Sequence, residues 1–126
     1  MLAKLILMLA GAGALGTLAR YGTGLFVERH ATGVFPWPTL VVNIVGCFLF
    51  GLLYALAEER LSWQGDARIV VLTGFMGAFT TFSTFAFQSS TLLRDAQWVL
   101  AVGNILGQNV LGIASLMFGL VLGKAL

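Results

Sequence analysis

An all-α membrane protein with four transmembrane helices follows from three features of the sequence. Hydrophobic residues make up 59% of the 126 positions, charged residues 10%, and the mean hydropathy is +0.96. Soluble domains carry about 25% charge, so this chain has too little to cover a water-facing surface. No Asp, Glu, Lys or Arg occurs from 30 to 57, from 69 to 93 or from 96 to 123, and 15 more uncharged residues lie between Lys4 and Arg20. About 20 apolar residues cross a bilayer as a helix, so each stretch holds one crossing. Turn-forming and charged residues punctuate the gaps between them.

The spacing predicts spans at about 3–26, 37–58, 68–93 and 97–123, in one transmembrane domain over 1–126. Backbone groups in hydrocarbon must be paired within the segment, and a barrel needs a longer chain, so the spans read as helices. The N-terminus has the outline of a cleaved leader, with Lys4, an apolar run and small residues from Gly11 to Ala14. Because three spans follow, it reads as the first helix. Glu28, Arg29, His30, Gly33 and Pro36 separate the first two spans; Glu58, Glu59, Arg60, Gly65 and Asp66 the next pair; Arg94 and Asp95 the last. Trp37, Trp63 and Trp98 fall at these boundaries, where amphipathic rings favour the headgroup level.

Several functions are excluded. One Cys and one His leave no disulfide framework and no Cys/His metal cluster. A pI near 9.1 rests on a net charge of only +2 without a basic run, so nucleic-acid binding has no support. Orientation is weakly specified: Lys4, Arg60, Arg68 and Lys124 share one face, against Arg29, Arg94 and a snorkelling Arg20 on the other. Such a bias permits both insertion directions, and with them an antiparallel pair. Gly103 with Gly107, and Gly119 with Gly123, let helices approach closely, within a subunit or across a dimer seam.

Polar groups at membrane depth mark a pathway or hold helices together. Thr39 and Asn43 lie early in the second span; Thr80, Thr81, Ser83, Thr84 and Gln88 in the third; Asn104, Gln108 and Asn109 in the fourth. None is an acid. A proton-coupled exporter needs a titratable group in its spans, whereas neutral amides and hydroxyls can all donate to an anion. Ring edges are electropositive as well, and Phe79, Phe82 and Phe85 step by three among the hydroxyls. A phenylalanine stripe also packs against lipid, and Asn43 can serve as interhelical glue. Gly74 and Gly77 mark a break in the third helix, where freed carbonyls need protein, water or a cation.

The run Gly74-Phe75-Met76-Gly77-Ala78-Phe79-Thr80-Thr81-Phe82-Ser83-Thr84-Phe85 resembles the Fluc (CrcB) family of fluoride channels. Thr39 to Asn43 with Gly46 and Gly51, and Gly16 with Arg20, extend the likeness over essentially the whole chain. The resemblance implies a passive, fluoride-selective channel, not an enzyme, that relieves fluoride toxicity from the bacterial inner membrane. It implies an antiparallel, dual-topology homodimer with two pores. On that likeness Phe82 and Phe85 present ring edges to the ion and Asn43 donates to it. Ser83, Thr84 and Thr39 belong to the hydroxyl track, Arg20 stands near a vestibule, and Asn104 and Gln108 form the fourth-span track. Gly77 and Thr80 correspond to positions whose carbonyls hold a structural Na+ at the dimer interface. Three departures stand out: Asn104 and Gln108 replace a tyrosine and a serine, Gln88 replaces an acid, and Ala86 a serine. A small dual-topology exporter of drugs or cations is the alternative, and the lack of a carboxylate in the long uncharged stretches argues against it. A structural subunit of a larger complex would pass no ions alone, and an intramembrane hydrolase lacks an acid or base facing Ser83.

Overall fold

The computed structural model describes residues 1–60, 62, 63 and 65–126. Four of its helical stretches are long and apolar enough to cross a membrane, and no strand occurs among the described residues. Helix α1 spans Leu2–His30 and α2 spans Trp37–Glu59. The third stretch is composite. Its first part, α3, covers 66–79 as a turn at Asp66–Arg68, a π-helix at Ile69–Met76 and a turn at Gly77–Phe79. Thr80 and Thr81 then take extended backbone before α4 (Phe82–Arg94) begins. Helix α5 spans Trp98–Ala125.

The ends depart from the expected spans by little except in α1, which runs four residues past 26 and includes Glu28, Arg29 and His30. Those residues close a final solvated turn, in which His30 Nδ1 donates to the Phe26 carbonyl at 2.7 Å. Pro38 stands in the first turn of α2, where its missing N–H is no loss. Where α2 ends and α3 begins, Arg68 lies 4.5 Å from the Tyr54 ring centroid and 3.3 Å from Glu58.

The main seam joins α2 to α5. A methyl carbon added at Gly51 would overlap the Leu116 carbonyl, and one at Gly119 would overlap the Phe48 carbonyl. At Gly123 it would stand 2.6 Å from Ala55 Cβ. Gly119 and Gly123 therefore pack within the chain, while Gly103 keeps open space, its nearest neighbour being Phe35 at 3.9 Å. Ser115 Oγ donates to the Ile44 carbonyl across the same seam at 2.9 Å. A smaller core of Val42, Met76 and Phe79, backed by Leu49, Phe50, Leu53 and Phe75, seats α3 against α2. Gly46 makes room there, since a Cβ would overlap the Thr80 methyl and touch the Phe79 ring. The extended pair Thr80–Thr81 thus lies against α2 beside Asn43.

Candidate functional site

The site is organised by Thr81. With φ −146 and ψ 109, its N–H and C=O point to the same side of the chain, as in a strand. No helix neighbour can pair with them, and Asn43 does so instead. The Thr81 N–H donates to Asn43 Oδ1 at 2.8 Å, and Asn43 Nδ2 donates to the Thr81 carbonyl at 3.0 Å. Thr81 also caps α4: its Oγ1 accepts from the Thr84 N–H at 3.3 Å and donates to Thr84 Oγ1 at 2.9 Å. A threonine in this cap position is favoured because it satisfies an N–H of the first turn that has no helical partner.

Two clefts meet at this residue. The first, about 290 Å³, is walled by Thr17, Arg20, Tyr21 and Glu28 of α1, by Thr39 and Val42 of α2, and by Thr81 and Thr84. The second, about 330 Å³, is walled by Asn43, Cys47 and Phe50 of α2, by Thr80 to Phe82 and Phe85, and by Gln108, Asn109 and Leu116 of α5. The lining of the second carries no charged side chain. The rings of Phe82 and Phe85 meet edge to face, with centroids 5.4 Å apart at 65°. Phe82 is 77% exposed and Phe85 only 8%.

The residues singled out from the sequence thus fall into groups. Asn43, Thr80, Phe82, Phe85 and Gln108 share the second cleft, and Arg20, Thr39 and Thr84 share the first. Ser83 is exposed and lines neither. Asn104 is fully buried and lines neither; it donates to Ser89 Oγ at 2.9 Å and accepts from Gln108 Nε2 at 3.4 Å. Gln88 lines a separate cleft with Glu28 and Asp95, and its Oε1 is buried without a partner among the described residues. The step of three from Phe79 to Phe82 does not hold in space. Helical spacing cannot run through an extended pair, so Phe79 turns into the core and stacks on Phe75, with centroids 6.2 Å apart.

Residues to which the sequence assigned no role in the site also matter. Cys47 lines the second cleft one turn after Asn43, a place that i, i+4 spacing from Asn43 already marks. Thr81 forms the wall common to both clefts, and Ser89 anchors Asn104. Nothing in residue type distinguishes Thr81 from Thr80 or Thr84; only its backbone does.

The carbonyls of Gly77 and Thr80 suit a cation. In an uninterrupted helix the Gly77 carbonyl would accept from the Thr81 N–H and the Thr80 carbonyl from the Thr84 N–H. Here the first donor goes to Asn43 Oδ1 and the second to Thr81 Oγ1. Among the described residues two carbonyls are left for another partner, and Gly77 is exposed with open space where a side chain would stand. A hard cation with oxygen ligands fits that donor set.

The family model described as CrcB-like protein, Camphor Resistance (CrcB), matches residues 7–120. A protein of Nitrosococcus oceani named fluoride-specific ion channel FluC is 54% identical over 116 residues, covering 92% of this chain and 91% of that one. Proteins with the same name are 51% identical in Desulforapulum autotrophicum, over 92% of this chain and 93% of that one, and 50% identical in Nitratidesulfovibrio vulgaris Miyazaki F, over 94% and 96%.

Proposed function

Because this chain belongs to the CrcB family, we propose that it is a passive fluoride channel whose ion passes the Thr81 region between the two clefts. One observation carries the reading: neutral amide and hydroxyl side chains and the rings of Phe82 and Phe85 line one cleft, and no charged side chain lines it. Fluoride is small and strongly hydrated. Only closely spaced donors can replace its water, and a cleft lined by a full charge would hold the ion instead of passing it. Rings present positive edges to an anion, and amides and hydroxyls present N–H and O–H groups. Phe82, Phe85, Asn43 and Gln108 form the narrow part. Thr39, Thr84 and Arg20 form the approach, where Arg20 draws anions in, and Ser83 on the exposed face of α4 extends the hydroxyl track.

The working unit is an antiparallel, dual-topology homodimer with two such routes in the bacterial inner membrane, exporting fluoride down its electrochemical gradient. The exposed hydroxyls of Ser83 and Thr84 support this, because polar side chains at membrane depth call for a covering surface other than lipid. The carbonyls of Gly77 and Thr80 would hold a structural Na+ at the interface, where its positive charge would satisfy two oxygens that the extended pair leaves without a helical partner. It takes no part in moving the anion.

Efflux from liposomes containing only this protein tests the proposal. Fluoride leaves rapidly and chloride does not, flux falls when sodium is removed during reconstitution, and Phe82→Ile lowers fluoride flux by about tenfold or more, the loss of one contact to a charged group. Vesicles that remain tight to fluoride overturn the reading. Cys47 is the only cysteine of the chain, so a small methanethiosulfonate reagent is expected to slow fluoride efflux, and Cys47→Ala to remove that sensitivity.

A further inference from the structure

The side-chain amides of Asn43, Gln108 and Asn104 form one hydrogen-bonded chain, and its polarity is set at a single backbone residue. Thr81 presents an N–H and a C=O to Asn43, and backbone groups cannot exchange roles, so the Asn43 amide cannot turn over. Its second N–H points at Gln108 and demands an acceptor, which is Oε1 at 2.9 Å. The amino group of Gln108 is thereby turned towards Asn104, whose Oδ1 accepts at 3.4 Å. Asn104 Nδ2 passes the same polarity on to Ser89 Oγ at 2.9 Å. A reversed Gln108 would set donor against donor at Asn43 and acceptor against acceptor at Asn104.

Both N–H groups of Asn43 are occupied, one by Thr81 and one by Gln108. The Gln108 amino group has two, and Asn104 holds one; the other has no partner among the described residues, and Gln108 stands on the wall of the second cleft. We propose that Asn104 is a positioning residue that never meets the ion, and that the remaining N–H of Gln108 is the amide donor the cleft offers an anion. Asn43 acts as the clamp that sets this orientation. Asn104 is 0% exposed and Ser89 5%, so Asn104 acts through Gln108 from behind the wall. This rests on the channel reading above.

The test is fluoride efflux from liposomes as a function of fluoride concentration, which separates binding from the number of active channels. Gln108→Met, similar in length but without a donor, raises the fluoride concentration for half-limiting efflux by at least about tenfold, as loss of a hydrogen bond to a charged group predicts. Asn104→Leu raises it by about threefold or more, the smaller effect of a lost neutral bond. Two results overturn the inference: Gln108→Met with an unchanged half-limiting concentration, or Asn104→Leu with an unchanged one. A second measurement needs no variant: adding fluoride to the unsubstituted, selectively 15N-labelled protein shifts the side-chain amide resonance of Gln108 and leaves that of Asn104 in place. Movement of the Asn104 resonance with Gln108 unmoved overturns it equally. Unsubstituted protein that passes no fluoride overturns the channel reading and this inference with it, whereas fluoride flux indifferent to these positions overturns the inference alone.

Discussion

Asn43→Ala should reduce fluoride efflux by about ten- to a hundredfold and lower the thermal stability of the purified protein. The substitution removes three hydrogen bonds, two to Thr81 and one to Gln108. Each is worth about 1 kcal/mol net, and a buried group left unpaired costs about 1–3 kcal/mol. Two of the groups left unpaired are backbone. Within a membrane no water replaces the lost partner, so the Thr81 N–H and C=O would seek helical partners and draw the extended pair towards regular helix. That movement would reclaim the Gly77 carbonyl and reorient Phe82 at the same time. A loss of about 1.4–2.8 kcal/mol corresponds to ten- to a hundredfold in rate. Efflux with a fluoride electrode, alongside a melting curve, checks both halves. Efflux within about twofold of the unsubstituted protein would show that the clamp is dispensable.

Gly119→Val is expected to have the largest effect on folding. The added side chain would overlap the Phe48 carbonyl, a backbone group that cannot swing aside, and Gly51 meets the Leu116 carbonyl one turn along the same seam. Overpacking of this kind costs about 1–3 kcal/mol, or more when backbone must move. Separating α2 from α5 would also break the Ser115–Ile44 hydrogen bond and part Asn43 from Gln108. The variant should be recovered from detergent extracts mainly as aggregate, where the unsubstituted chain elutes as one species. A single, stable species with normal efflux would mean that the seam is looser than its geometry indicates.

The four spans are legible because charge is so costly in hydrocarbon that its absence is itself a pattern. Their ends are legible to within a few residues, apart from α1, whose charged last turn is helical although no membrane requires it. The interruption was signalled by Gly74 and Gly77, yet both lie in helical segments and the extended residues are Thr80 and Thr81. A glycine permits a turn, but a partner decides where it falls, and that partner, Asn43, is 38 residues away from Thr81. The same distance hides the placement of Phe79. Asn104 and Gln108 are four apart and were expected to form one track; they are hydrogen-bonded neighbours, but only Gln108 lines one of the two clefts. Helical spacing tells which side chains are adjacent, and depth behind the wall comes from packing against α4.

The π-helical stretch at Ile69–Met76 bears on how chain length is counted. Wide turns of this kind act as insertions in an otherwise α-helical frame and recur at functional sites. The wide turns absorb a residue, so deleting one here would let the stretch tighten to an α-helix and leave Thr81 facing α2, whereas deleting one from an ordinary α-helical turn rotates everything beyond it by about 100°. Among relatives a gap placed here would therefore disturb ion passage less than a gap elsewhere in the spans, so this segment is where the chain can change its number of letters.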